Sequence, residues 1–240
     1  MRFDLTPARW IWLPGQRTLA NTVVLFRKKI TLHGPPATAT GWIAADSRYR
    51  FWVNGEIVQR GPAPADPRHQ EADPVDLAGF LRSGDNVIAV EVLYFGHGEG
   101  TWPCGKPGLL FTLEVEGGKV ISDESWTCAI DRSRPAGGFR RWYLRSLQEI
   151  VDLRQVPVGW SSPGFDDSAW MPAMDLNVPA DRSPYSGRYR EYAVDTWMTR
   201  PEESTLTARS IPLLRHESVP PVAIAATGEV TWRQIGRAHV

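Results

Sequence analysis

The chain has 240 residues, with 27 basic and 27 acidic side chains and no net charge, so charge gives no reason to expect nucleic acid or an anionic membrane as partner. Charged residues make up 22% and hydrophobic residues 42%, which excludes a disordered chain and leaves enough apolar mass for a large core. Gly and Pro together account for about one residue in six, which suits turns better than long helices, and 11 Trp are available for a core or a stacking platform.

The N-terminus carries Asp4 early and has no apolar stretch of signal-peptide type. No run approaches the roughly 18 apolar residues of a membrane span. A cytoplasmic protein without membrane association is therefore expected. Cys104 and Cys128 are the only cysteines, too few for a disulfide framework or a four-cysteine zinc site, and no metal or cofactor is expected.

Along the chain the apolar period is two. In Asn21 to Leu32 the set Val24, Phe26, Ile30 and Leu32 alternates with Val23, Leu25, Arg27 and Lys29, the pattern of a half-buried strand. Thr40 to Ala45 follows, with Trp42 and Ile43 on opposite faces. Tyr49, Phe51 and Val53 alternate up to Asn54-Gly55, and Glu56-Ile57-Val58 returns. Asn-Gly between apolar runs marks a type I′ hairpin, which needs positive φ at both central residues. Asp76 to Leu81 reads as one helical turn stopped by Gly84. Asn86 to Phe95 is almost continuously apolar and reads as a central strand covered on both faces.

Leu109, Phe111, Leu113 and Val115 alternate cleanly, Gly117-Gly118 turns, and Lys119-Val120-Ile121 returns. Gln148 to Leu153 is one more candidate strand. Short strands at roughly ten-residue spacing, joined by Gly/Pro turns, predict an all-β, antiparallel sandwich over residues 1–176. Residues 177–221 are rich in Pro, Arg and Ser and read as an extended connection. A new strand-like piece starts near Ile224, so 177–234 is expected to be a linker and the start of another β domain.

Several ordered pieces carry a family resemblance. They are Trp10-Ile11-Trp12, Phe26-Arg27-Lys28, Ala44-Ala45-Asp46-Ser47-Arg48-Tyr49-Arg50-Phe51-Trp52-Val53-Asn54-Gly55, Gly61-Pro62, Asp76-Leu77 and Leu81 to Val90. Further on come Ser122 to Trp126, Asp152-Leu153-Arg154, Gly159-Trp160 and Phe165-Asp166-Asp167-Ser168 with Trp170. This order resembles the N-terminal β-sandwich of bacterial α-L-rhamnosidases and, more loosely, the galactose-binding-like jelly rolls that precede many glycosidase catalytic domains.

The resemblance implies an accessory, non-catalytic or carbohydrate-binding region whose parent acts on rhamnose-containing glycosides. Its chemistry would reside in a helical barrel that follows, so the downstream domains of the same chain are expected partners. A free-standing carbohydrate-binding module, or the accessory domain of a β-galactosidase-like enzyme, stays open. Ile235 to Val240 matches a translated sequencing adapter and is expected to be a non-native tail.

Few side chains are placed for chemistry. Glycoside hydrolysis needs two carboxyl groups across one bond. Asp166-Asp167 and Asp123-Glu124 are adjacent pairs, and adjacent residues on an extended chain point to opposite faces, so no catalytic residue is assigned. The Gly-rich stretch Gly96-His97-Gly98-Glu99-Gly100-Thr101-Trp102 follows a buried strand. It is a candidate sugar site, with Trp102 stacking on the ring and His97 and Glu99 reading hydroxyls; a loop contacting a neighbouring domain is the alternative. Asp46, Arg48 and Tyr49 form a candidate polar cluster at the sandwich rim, or else an ordinary Asp-Ser turn with the arginine facing solvent. Trp42, Trp126, Trp160 and Trp170 read as core.

Overall fold

The computed structural model describes residues 2–15, 18–96, 105–137, 149–184 and 204–214, with residues 219–220, 222–223 and 228. Among these, the secondary structure is β except for one 3-10 turn at Leu153–Gln155. The strands are β1 (Ile11–Trp12), β2 (Thr22–Leu32), β3 (Ala39–Asp46), β4 (Arg48–Val53), β5 (Glu56–Gly61), β6 (His69–Asp76) and β7 (Gly84–Tyr94). After them come β8 (Gly108–Val115), β9 (Gly118–Ile121), β10 (Thr127–Ile130), β11 (Met171–Pro172), β12 (Met174–Asp175) and β13 (Thr205–Ala208).

They form two sheets. One runs β12-β1-β8-β3-β6-β13, with β9 also paired to β8; the other runs β11-β10-β2-β7-β4-β5. Every pairing is antiparallel except β13 on β6. The fold is thus an all-β sandwich, as the two-residue period predicts.

Aromatic side chains interlock between the sheets. Phe51 of β4 meets Phe111 of β8 edge-on with ring centres 5.8 Å apart, and Trp12 of β1 meets Phe26 of β2 at 5.7 Å. Trp10, Trp12 and Trp126 are fully buried, and each indole N–H has a partner: the Arg182 carbonyl, the Thr18 hydroxyl and the Ile121 carbonyl. Burying a tryptophan this deeply is favourable only when its one donor is satisfied.

The Asn54-Gly55 hairpin forms between β4 and β5, with φ of 54° and 89° at the two turn residues. Asn54 also donates to Phe80 O and accepts from the Val87 amide, so the turn is bonded to β7 as well. β7 lies between β2 and β4, the central position its continuous apolar run predicts. The segment after Asp76 makes a single turn, closed by the Leu81 amide on Leu77 O.

Three local expectations change. Residues 149–152 form no strand, and Leu153–Gln155 is a 3-10 turn that the Asp152 carboxylate caps. Trp160 and Trp170 are half-buried rather than core: they lie in the 157–170 segment on the outer face of the six-stranded sheet, where Trp160 packs edge-on to Trp52 at 5.3 Å. The stretch read as an extended connection contributes β13 to the other sheet.

The 157–170 segment is held down by Arg27, whose outward position on β2 would normally face water. Its side chain is fully buried and donates to the Trp160, Ser162 and Phe165 carbonyls and, at 3.0 Å, to Asp167. The guanidinium also lies 5.1 Å from the Phe165 ring centre.

Candidate functional site

One corner of the sandwich gathers strand ends from both sheets. β3 ends at Asp46, β4 starts at Arg48, β7 ends at Tyr94, and β8 starts at Gly108. Ser47, the residue that crosses between the sheets, ties them together. Its amide donates to Leu93 O, and its hydroxyl accepts from the Phe95 amide and donates to Asp46 Oδ1 at 2.7 Å. Gln70 of β6 donates to the other Asp46 oxygen at 2.8 Å. Arg48 lies over the Phe95 ring, 5.6 Å from its centre, and donates to Ser47 O and Pro62 O.

The corner fixes both ends of the segment between β7 and β8. At one end Phe95 bonds to Ser47 and to Asn21. At the other, Tyr94 donates its hydroxyl to Gly105 O at 2.8 Å. Gly105 packs so closely on Asp46 that a Cβ there would run into the carboxylate, which is why the position takes glycine.

Asp46 is only 4% exposed, and burial raises its carboxyl from 3.8 to about 7, against the pull of Ser47, Arg48 and Gln70. Burial likewise lowers Lys106, next to Gly105. An amide and a hydroxyl offset desolvation less than a direct ion pair would. Gln70 Oε1 is buried without a hydrogen-bond partner among the described residues.

Of the residues placed by sequence, Asp46 and Arg48 therefore share this corner. Asp46 turns inward and shapes the rim, while Arg48 stays partly exposed. His97, Glu99 and Trp102 lie outside the described residues, in the segment whose two ends the corner holds. Sequence reasoning missed Gln70, Tyr94 and Gly105, and gave Ser47 no role beyond an Asp-Ser turn. The Asp46-Ser47 pair was legible as a polar break between apolar runs. Gln70 was not, because Pro74 and the polar run His69-Gln70-Glu71 hide β6.

The other acidic groups singled out do structural work. Asp167 accepts from Arg27, Lys29 and Thr127, while Asp166 is exposed and caps the Ser168 amide. Asp123 caps the Ser125 amide. Adjacent acids thus diverge, and among the described residues no group of three or more His, Cys, Asp or Glu is placed to hold a metal ion.

The described residues thus form a two-sheet β-sandwich whose strand ends meet at a polar rim. The alpha-L-rhamnosidase N-terminal domain model matches residues 34–186, and the chain belongs to that family. It is 29% identical over 171 residues to the α-L-rhamnosidase of Streptomyces avermitilis, covering 70% of this chain and 14% of that protein. Among solved structures, the GH78 family rhamnosidase of Bacillus sp. GL1 superposes with a TM-score of 0.72 at 28% identity, over 88% of this chain and 20% of that one. The Streptomyces avermitilis α-L-rhamnosidase complexed with L-rhamnose gives 0.50 at 26% identity, over 78% of this chain and 16% of that one. The chain thus spans about a seventh to a fifth of the length of these relatives.

Proposed function

We propose that this chain is a non-catalytic accessory sandwich of an α-L-rhamnosidase-type glycoside hydrolase acting on rhamnose-containing glycosides, and that its rim contacts carbohydrate. One observation carries the reading: the corner of Asp46, Ser47, Gln70 and Tyr94 anchors both ends of the segment bearing His97, Glu99 and Trp102. Trp102 would stack on the apolar face of the deoxy sugar, with His97 and Glu99 reading its hydroxyls. The non-catalytic role is supported by the acidic groups themselves. Asp46, Asp166, Asp167 and Asp123 are engaged with the protein's own donors, and none of these contacts sets two carboxyls across a cleft.

Titration of L-rhamnose by calorimetry tests this. The wild type is expected to bind in the millimolar range, and Trp102→Ala about tenfold more weakly. Gly105→Ala should also weaken binding, by displacing Asp46 and with it the anchor. No turnover of an aryl α-L-rhamnoside is expected. Equal affinity in wild type and Trp102→Ala would remove the segment from the site, and turnover lost in Asp167→Asn would overturn the non-catalytic role.

A further inference from the structure

β13 differs from the other strands. It pairs in parallel with β6, with Thr205 opposite His69 and Ala208 opposite Ala72, so its partner lies 136 residues earlier in the chain. It is four residues long and buries one large apolar side chain, Leu206, at 3% exposure. So short a strand with a single buried leucine does not by itself offset the cost of ordering its backbone. Something else must fix its place.

That something is Arg209. Its side chain is 3% exposed and donates at 2.7 Å to Asp73 Oδ1, whose side chain is fully buried. The other carboxylate oxygen accepts from Tyr49 at 2.5 Å, and Gln59 in turn donates to the Tyr49 hydroxyl at 2.6 Å. The acceptor is thus positioned by β4, β5 and β6 without help from β13. Arg209 spends its remaining donors on Ile211 O and Pro212 O, which bends the chain directly after the strand. Ser210 adds bonds to Glu71, and Thr205 meets His69 at 3.1 Å. Slippage by one residue would carry Arg209 away from Asp73 and turn Leu206 outward.

We infer that the edge of β6, with the preset Asp73 carboxylate, is a receiving site for an extended arginine-bearing strand, and that residues 204–212 occupy it as a tethered ligand. They form a clasp that returns the later part of the chain to the sandwich and sets the direction in which it leaves at Pro212. Main-chain pairing supplies the adhesion of such a strand, and the side chains at Leu206 and Arg209 supply its selection. This is independent of the rim's sugar contact.

The test uses the full chain carrying Leu206→Asp with Arg209→Glu, which repels its own strand from Asp73, and a labelled synthetic peptide of residues 203–214. The peptide is expected to bind this variant with a dissociation constant of ~10 µM, and about 100-fold more weakly when it carries Arg209→Ala, because that leaves the Asp73 charge buried without its cation. The wild-type chain, its edge already occupied, should bind the peptide at least tenfold more weakly than the variant does. Identical binding of the two peptides, or no binding to a variant whose melt remains cooperative, overturns the proposal. Should the double variant not fold, amide exchange on Asp73→Asn decides. Protection at 205–209 should fall about 100-fold while β7 stays protected, and parallel loss in both regions would reduce the clasp to ordinary core.

Discussion

Asp167 and Asp46 both have little solvent exposure, at 8% and 4%, but Asp46 is packed more deeply within the protein, and their carboxyls shift in opposite directions. Burial pushes both up. At Asp167 the bonds from Lys29 and Arg27 outweigh it and hold the group down to about 2, whereas at Asp46 a hydroxyl, an amide and the more distant Arg48 leave it at about 7. Asp167 combines shallower packing with cations in direct contact, whereas Asp46 combines deep packing with neutral hydrogen-bond partners, and both differences push the two carboxyls apart. The consequence is a division of labour. Asp167 is a permanent anion that pins a segment to a sheet, and Asp46 is a group that changes charge near neutrality at the corner where a segment begins and ends.

The largest effect should come from Arg27→Met. The substitution leaves Asp167 with Lys29 and Thr127 alone and leaves the Trp160, Ser162 and Phe165 carbonyls without their shared donor. Breaking a buried pair by removing one partner costs about 3–5 kcal/mol, which a denaturant titration would read directly. Adding Asp167→Leu should recover part of that loss, because the orphaned charge is then gone. A cost below about 1 kcal/mol for Arg27→Met would mean that the 157–170 segment is held by its tryptophans instead.

The contrast sharpens with pH. A carboxyl raised from 3.8 to about 7 on folding binds its proton more tightly in the native state, so its contribution falls as pH climbs from 3.8 to 7 and stays low above that. The wild type should therefore lose up to about 4 kcal/mol from this group between pH 4 and pH 8. Asp46→Asn should flatten that slope. Rotating the Gln70 amide would let its unpartnered Oε1 accept from the new side chain, so the variant keeps two neutral partners. Melting wild type and Asp46→Asn across that range checks it, and parallel curves would place the titration elsewhere.

The sequence reveals what is local. The β4–β5 hairpin, central β7 and the β8–β9 hairpin are written in alternation and in Asn-Gly or Gly-Gly turns, which act within ten residues. What it hides depends on distant partners. Arg27 occupies an outward strand position and reads as solvent-facing until a segment about 140 residues later covers it. Among the described residues β13 pairs only with β6, 136 residues earlier, and β6 is itself masked by Pro74. At the rim, Asp46 and Arg48 stood out as polar residues between apolar runs. Gln70 and Gly105 gained meaning only from the carboxylate they touch.

The smallest predicted effect is at Lys29, and it tests which cation matters. Its ammonium donates to Asp167 Oδ1 at 2.5 Å, but its side chain is 55% exposed, whereas that of Arg27 is fully buried. An exposed partner pays side-chain entropy and is screened by salt, so Lys29→Met should cost no more than about 1 kcal/mol, and less still in 1 M salt. Its clearer signature is in acid. A carboxyl held at about 2 contributes stability that is full above 3.8 and lost as pH falls toward 2. Removing Lys29 moves the folded value back toward 3.8, so the acid loss still begins near 3.8 but is smaller and is complete at a higher pH, while Arg27 still secures Oδ2. If Lys29→Met instead costs as much as Arg27→Met, the pin depends on the summed charge around Asp167 and not on the buried guanidinium.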